Sequence, residues 1–250
     1  MAERVQGDSP GSGRLIRAAA VLAGLLLVAG GEDSLGKPPP RPAAPSAVTA
    51  CLERSGELVA DVNDDGHPDR VTDPSRRGAR LSIVFGAGSA HETKVPVWGL
   101  ADRTARRQEY VRAAVADFDR DGWSDLVVVA GEEQAGDDPV PPRVAELRLG
   151  PFSDTGRARR IVQLDLEATK DIAVADYNHD RYPDLAAYTY TGDGTYVTQA
   201  RLGDPRTGLA SDTGTYTTDA AGTGYDPPAD LSPSGLAPFY PGCGTHRTPG

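Results

Sequence analysis

Methionine, tryptophan and phenylalanine are scarce in this chain, with one, two and four residues among 250. Large apolar side chains supply much of a core's buried area, so the packed part is smaller than the length suggests. Cysteine occurs only twice, at Cys51 and Cys243, and the spacing excludes a metal centre of the CxxC kind. The four histidines, His67, His91, His179 and His246, are scattered. There is no HExxH, no Ser/His/Asp arrangement and no phosphate-binding glycine loop, so no catalytic residue is nominated and the chain is read as non-enzymatic. A basic stripe is also missing: 36 acidic against 26 basic residues give a net charge of −10, which argues against nucleic acid as a partner.

Long hydrophobic runs are equally absent. The best is AAAVLAGLLLVAG, residues 18–30, preceded by Arg4, Arg14 and Arg17. It falls short of the ~20 apolar residues that cross a bilayer. A basic region, a short apolar region and small residues afterwards predict a secretory signal peptide over 1–31. Its LVAGG resembles a lipoprotein box, but Gly31 stands where the lipidated cysteine would be. The expectation is therefore a secreted protein with no stable membrane span after cleavage. The alternative is an uncleaved N-terminal anchor. In an exported chain the cysteine pair reads as one Cys51–Cys243 disulfide, with unpaired or intermolecular thiols as the alternative.

What is abundant is glycine, proline and aspartate in a pattern. Residues 32–50, including KPPPRPAAPSA at 37–47, form a proline-rich linker. Residues 211–250 are a tail rich in glycine, proline, serine and threonine. Between them one motif occurs three times: LVADVNDDGHPDRV (58–71), AVADFDRDGWSDLV (114–127) and AVADYNHDRYPDLA (173–186). The copies start at Asp61, Asp117 and Asp176, a near-regular internal repeat over 51–210. Short apolar stretches bounded by glycine, proline and aspartate flank each copy, giving about four strands per repeat, the pattern of a propeller blade. The GDG at 192–194 reads as a hairpin turn.

Each motif reads D-x-[DN]-x-D-[G]-x-x-D. The predicted side-chain ligands are Asp61, Asn63, Asp65 and Asp69; Asp117, Asp119, Asp121 and Asp125; and Asp176, Asn178, Asp180 and Asp184. Main-chain carbonyls of His67, Trp123 and Tyr182 fall at the seventh position. Oxygen ligands from alternate positions of one tight loop suit Ca2+, up to three ions in all, and offer nothing soft for zinc or copper. An EF-hand would place glutamate at position twelve, where Thr72, Val128 and Ala187 stand, and would need helical flanks. Arg181 replaces the glycine found at Gly66 and Gly122, a position that favours positive φ. With Asn178 in the same loop, the expected affinity order is second, first, third. The plain alternative is a set of solvated Asp-Gly turns.

These loops resemble the calcium sites of FG-GAP (VCBS-type) repeats, the blades of integrin-alpha-like β-propellers. FGAG, Phe85 to Gly88, is similar to the motif that names the family, and RLGPF and RLGDP are looser versions in the later copies. The resemblance implies an all-β fold of FG-GAP-type propeller blades, three four-stranded repeats making a small or incomplete propeller. It implies a calcium-stabilised β-propeller fragment and does not by itself imply integrin function, because the scaffold hosts many roles. With the expected export, the favoured reading is a secreted, non-catalytic calcium-binding module for binding, adhesion or structure, with an extracellular protein or glycan as partner. A homo-oligomer could complete the ring. The competing expectation is an extracellular enzyme acting on carbohydrate or lipid, or a lectin using Trp98, Trp123 and Tyr182 as an aromatic surface.

Overall fold

The computed structural model describes residues 46, 48–74, 80–101, 110–211, 217–220 and 235–244. The expected signal peptide and most of the linker lie outside these residues, as does much of the tail. Among the described residues no helix is long and apolar enough to cross a membrane.

The described chain is all-β, with one four-residue helical turn, and it is organised as consecutive antiparallel meanders. Sheet I has the order β1 (Cys51–Leu52), β2 (Leu58–Ala60), β3 (Asp69–Thr72), β4 (Ser82–Phe85) and β5 (Thr93–Pro96). Pro96 then leads into α1 (Val97–Leu100). Sheet II contains β6 (Tyr110–Ala116), β7 (Asp125–Gly131), β8 (Val144–Leu149) and β9 (Arg160–Gln163) in chain order. Sheet III begins with β10 (Thr169–Ala175), β11 (Asp184–Gly192) and β12 (Thr195–Arg201). A two-stranded ribbon, β13 (Gly203–Asp204) and β14 (Gly208–Leu209), follows. Among the described residues no sheet closes into a barrel.

The outer strand of sheet III comes from beyond the repeats. It is β15 (Thr217–Ala220), drawn from the segment read as a tail, and it pairs with β12 from Tyr196↔Ala220 to Gln199↔Thr217. The hairpin between β11 and β12 turns at Asp193 and Gly194, both at positive φ (51° and 72°), as the GDG reading requires.

The first two strands of sheet II, β6 and β7, are apolar at nearly every position because both of their faces are covered, whereas the outer strand β9 is largely exposed. Along β6 and β7, Val111, Ala113, Val115, Leu126, Val128 and Ala130 join a core with Leu58, Val71, Ile83 and Phe85 of sheet I. The alternate residues, including Ala114, Val127 and Val129, join a second core with Ile172, Val174, Leu185 and Ala187 of sheet III. A period of two therefore divides one sheet between two cores, and every residue of β7 is buried. Sheet I differs: Arg70 and Lys94 are exposed, so its strands alternate between core and water.

A C-terminal cap lies against the two cores. Cys51 and Cys243 are joined in a disulfide, with Cα atoms 4.9 Å apart. Around it the Leu52 and Cys243 amides donate to the Pro241 and Leu52 carbonyls, both at 2.8 Å. Tyr240 packs against both clusters, and Leu236 is buried in the second.

Candidate metal centre

Each acidic loop lies between the first two long strands of its sheet, β2–β3, β6–β7 and β10–β11. The backbone turns the same way in all three. The fourth position is left-handed (Asp64 φ 63°, Arg120 φ 54°, His179 φ 61°), and so is the sixth (Gly66 φ 79°, Gly122 φ 93°, Arg181 φ 70°). Arg181 therefore holds a conformation that costs a non-glycine residue about 1 kcal/mol.

Hydrogen bonds within the loops follow the same scheme. The sixth amide donates to the first carboxylate: Gly66 to Asp61 at 3.1 Å, Gly122 to Asp117 at 3.1 Å, and Arg181 to Asp176 at 3.2 Å. The seventh amide donates to the fifth: His67 to Asp65 at 2.8 Å, Trp123 to Asp121 at 2.9 Å, and Tyr182 to Asp180 at 2.7 Å. These contacts fold the side chains inward over the turn.

The ninth aspartate does something further. Asp69, Asp125 and Asp184 are fully buried, and each accepts two amides. One comes from the second loop residue: Val62 (2.8 Å), Phe118 (2.9 Å) and Tyr177 (2.7 Å). The other comes from a glycine just after β4, β8 or β12: Gly86 (2.7 Å), Gly150 (3.0 Å) and Gly203 (2.8 Å). The ninth aspartate thus latches the loop to a neighbouring strand. Glycine is required where that strand comes close. A Cβ on Gly150 would overlap the Ser124 carbonyl oxygen, and one on Gly203 would lie 2.6 Å from the Tyr182 Cβ.

Loop two converges most tightly. Asp117, Asp119 and Asp125 each offer a carboxylate oxygen, all within 4.8 Å of one another. Burial pushes the Asp117 carboxyl up to about 7, and the charges of Asp121 and Asp119 raise it further. Burial also raises Asp119 and Asp125, again helped by neighbouring carboxylates. Three such groups either hold protons or require a cation. Asp121, the remaining predicted ligand, faces partly away: its Oδ2 accepts from the Arg159 guanidinium at 3.0 Å.

Loops one and three relieve the repulsion differently. The asparagine at position three donates to the aspartate at position five, Asn63 to Asp65 at 3.0 Å and Asn178 to Asp180 at 2.8 Å. In all three loops an inward oxygen is left over. Asn63 Oδ1, Asp117 Oδ1 and Asp176 Oδ1 are buried and, among the described residues, lack a hydrogen-bond partner. Such atoms are costly unless something charged or hydrogen-bonding meets them, so the donor sets fit a hard cation. Burial raises Asp69 and Asp184 as well, opposed by the amides they accept.

Several participants carry no signal in the motif. The Asp117 amide donates to the Tyr240 hydroxyl at 2.9 Å, across 123 residues of chain. Ser46 approaches Asp61 at 3.4 Å, and Arg120 of loop two lies 4.7 Å over the Tyr182 ring of loop three. Tyr240 could have been suspected only from its closeness to Cys243. The expected aromatic surface is not assembled: Trp123 is buried, Trp98 is exposed, and Tyr182 is taken up beneath Arg120. No protein-family model matches the chain, and no curated protein or solved structure is significantly similar to it.

Proposed function

We propose that the chain is an exported, calcium-stabilised binding module built on FG-GAP-type propeller blades. The observation that carries this reading is the inward oxygen left unpartnered in each of three loops of one geometry. Calcium would be held in loop two by Asp117, Asp119, Asp121 and Asp125 with the Trp123 carbonyl. The corresponding positions are Asp61, Asn63, Asp65, Asp69 and His67 in loop one, and Asp176, Asn178, Asp180, Asp184 and Tyr182 in loop three. The metal would supply charge compensation and a cross-link between the turn and the strand behind it, so the chemistry is structural. The disulfide favours an oxidising compartment, in keeping with export. The three meanders stacked face to face favour blades.

Calcium titration by calorimetry, with melting curves in calcium and in chelator, tests the function. Saturable binding and a higher Tm with calcium are expected. Asp119→Asn lowers one carboxylate charge in the tightest cluster and should weaken the strongest site about tenfold. A melting temperature indifferent to calcium, together with no binding heat, removes the reading.

A further inference from the structure

Arg181 stands where the other loops have glycine, and it keeps its left-handed φ of 70° despite the strain. Strain held at one position invites the question of what the side chain does there. It lines a cavity of about 170 Å3 between loops two and three, together with Arg120 and Asp117. Pro238, Phe239 and Tyr240 of the C-terminal cap form another wall.

Arg120 also has a left-handed φ, at 54°, and its guanidinium lies over the Tyr182 ring. The guanidinium lies 4.7 Å from the ring centroid, a cation–π contact, and among the described residues it donates no hydrogen bond to a protein acceptor. Among the described residues neither Arg120 nor Arg181 forms an ion pair. Asp117 on the same cavity turns one carboxylate oxygen to the Gly122 amide.

We propose that this cavity binds the carboxylate of an acidic peptide side chain between Arg120 and Arg181. Guanidinium groups match a carboxylate through paired N–H donors. The proline and aromatic wall suits the short methylene stem of glutamate or aspartate. A sugar acid would want several further partners for its hydroxyls, and the lining offers few beyond the two arginines and Asp117. An ion in loop two would offset the Asp117 charge, so binding is measured in calcium excess.

The test uses the full chain labelled with 15N, reading the arginine Nε–H signals by NMR. Arg120→Gln and Arg181→Gln assign the two signals by their disappearance. The probes are acetyl-Gly-Glu-Gly-amide, its glutamine counterpart and glucuronate. The glutamate peptide should shift both signals saturably, and the glutamine peptide should bind about tenfold more weakly or worse. Each arginine variant should lose about tenfold in peptide affinity while calorimetry on the same sample shows calcium uptake unchanged. Equal response to both peptides, or no saturable response, overturns the site. Tighter binding of glucuronate overturns the peptide assignment in favour of an acidic glycan. Arginine variants that lose calcium and peptide together would show that the two arginines only balance the loop carboxylates. Arg181→Gly guards against a folding artefact: it relieves the strain and should raise Tm while still losing the peptide.

Discussion

At the scale of single residues, the ninth aspartate and its glycine form a matched pair. The carboxylate needs a second donor, and at Gly150 and Gly203 only a residue without Cβ can bring its amide close enough. Gly150 is the sharpest case, since its Cα region lies against both the Ser124 carbonyl and the Trp123 Cβ. Gly150→Ala should destabilise by about 2 kcal/mol, combining steric strain with a weakened hydrogen bond to a buried carboxylate. Gly136 meets nothing within 4 Å at the position of a Cβ, and Gly136→Ala should stay within about 0.5 kcal/mol. Urea denaturation of both variants checks the contrast. A loss at Gly150 no greater than at Gly136 would mean that the latch contributes nothing measurable. The motif showed which aspartates cluster, but not that the ninth has a different task from the first and third. That distinction depends on a strand about 17 to 25 residues away, which loop spacing does not encode.

At the scale of elements, the loops set a pH dependence whose sign follows from burial. The Asp117 carboxyl is raised to about 7 in the folded chain, whereas an unfolded aspartate titrates near the ordinary value of 3.8. The folded state therefore holds a proton that the unfolded state has already lost. Its stabilising effect is complete below about pH 4 and disappears as pH rises through about 7. Raised Asp119 and Asp125 act in the same direction. Calcium-depleted protein should melt several degrees lower at pH 7.5 than at pH 5, since 1 kcal/mol corresponds to roughly 2–4 °C at this size. Saturating calcium should remove the difference, because the ion takes over from the protons. A Tm that rises across this window in calcium-depleted protein would show that the carboxylates are ionised and stabilised without metal.

The strands themselves were largely legible, because alternating or apolar runs bounded by glycine and aspartate leave few other conformations. β15 was not: its sequence, TTDA, has no apolar period, and it forms a strand by pairing with the edge of β12. The buried pairing of the two faces of sheet II was hidden for a related reason. A run such as LVVVAG states that both faces are covered and says nothing of which sheet covers each.

At the scale of the whole molecule, the disulfide and loop two belong to one device. Cys51–Cys243 closes 192 residues of chain, and in the chain-entropy model a loop of that length stabilises by roughly 5 kcal/mol. The bridge also seats the cap, and the cap places the Tyr240 hydroxyl on the Asp117 amide. Burial and the adjacent Asp117 carboxylate hold that hydroxyl far above its ordinary pKa, so it remains protonated at any working pH. Replacing both cysteines by serine should lower stability by a few kcal/mol and weaken the calcium binding proposed for loop two, the second effect arising because the cap no longer holds Asp117 in place. Tyr240→Phe separates the two contributions. It keeps the ring and the bridge but leaves the Asp117 amide without its acceptor, and should cost about 1 kcal/mol with a smaller loss of calcium affinity. Calorimetry and urea denaturation on both variants decide the matter. If the cysteine-free chain is less stable yet binds calcium as tightly as before, the bridge acts on the unfolded chain alone and the cap has no hold on the metal loop.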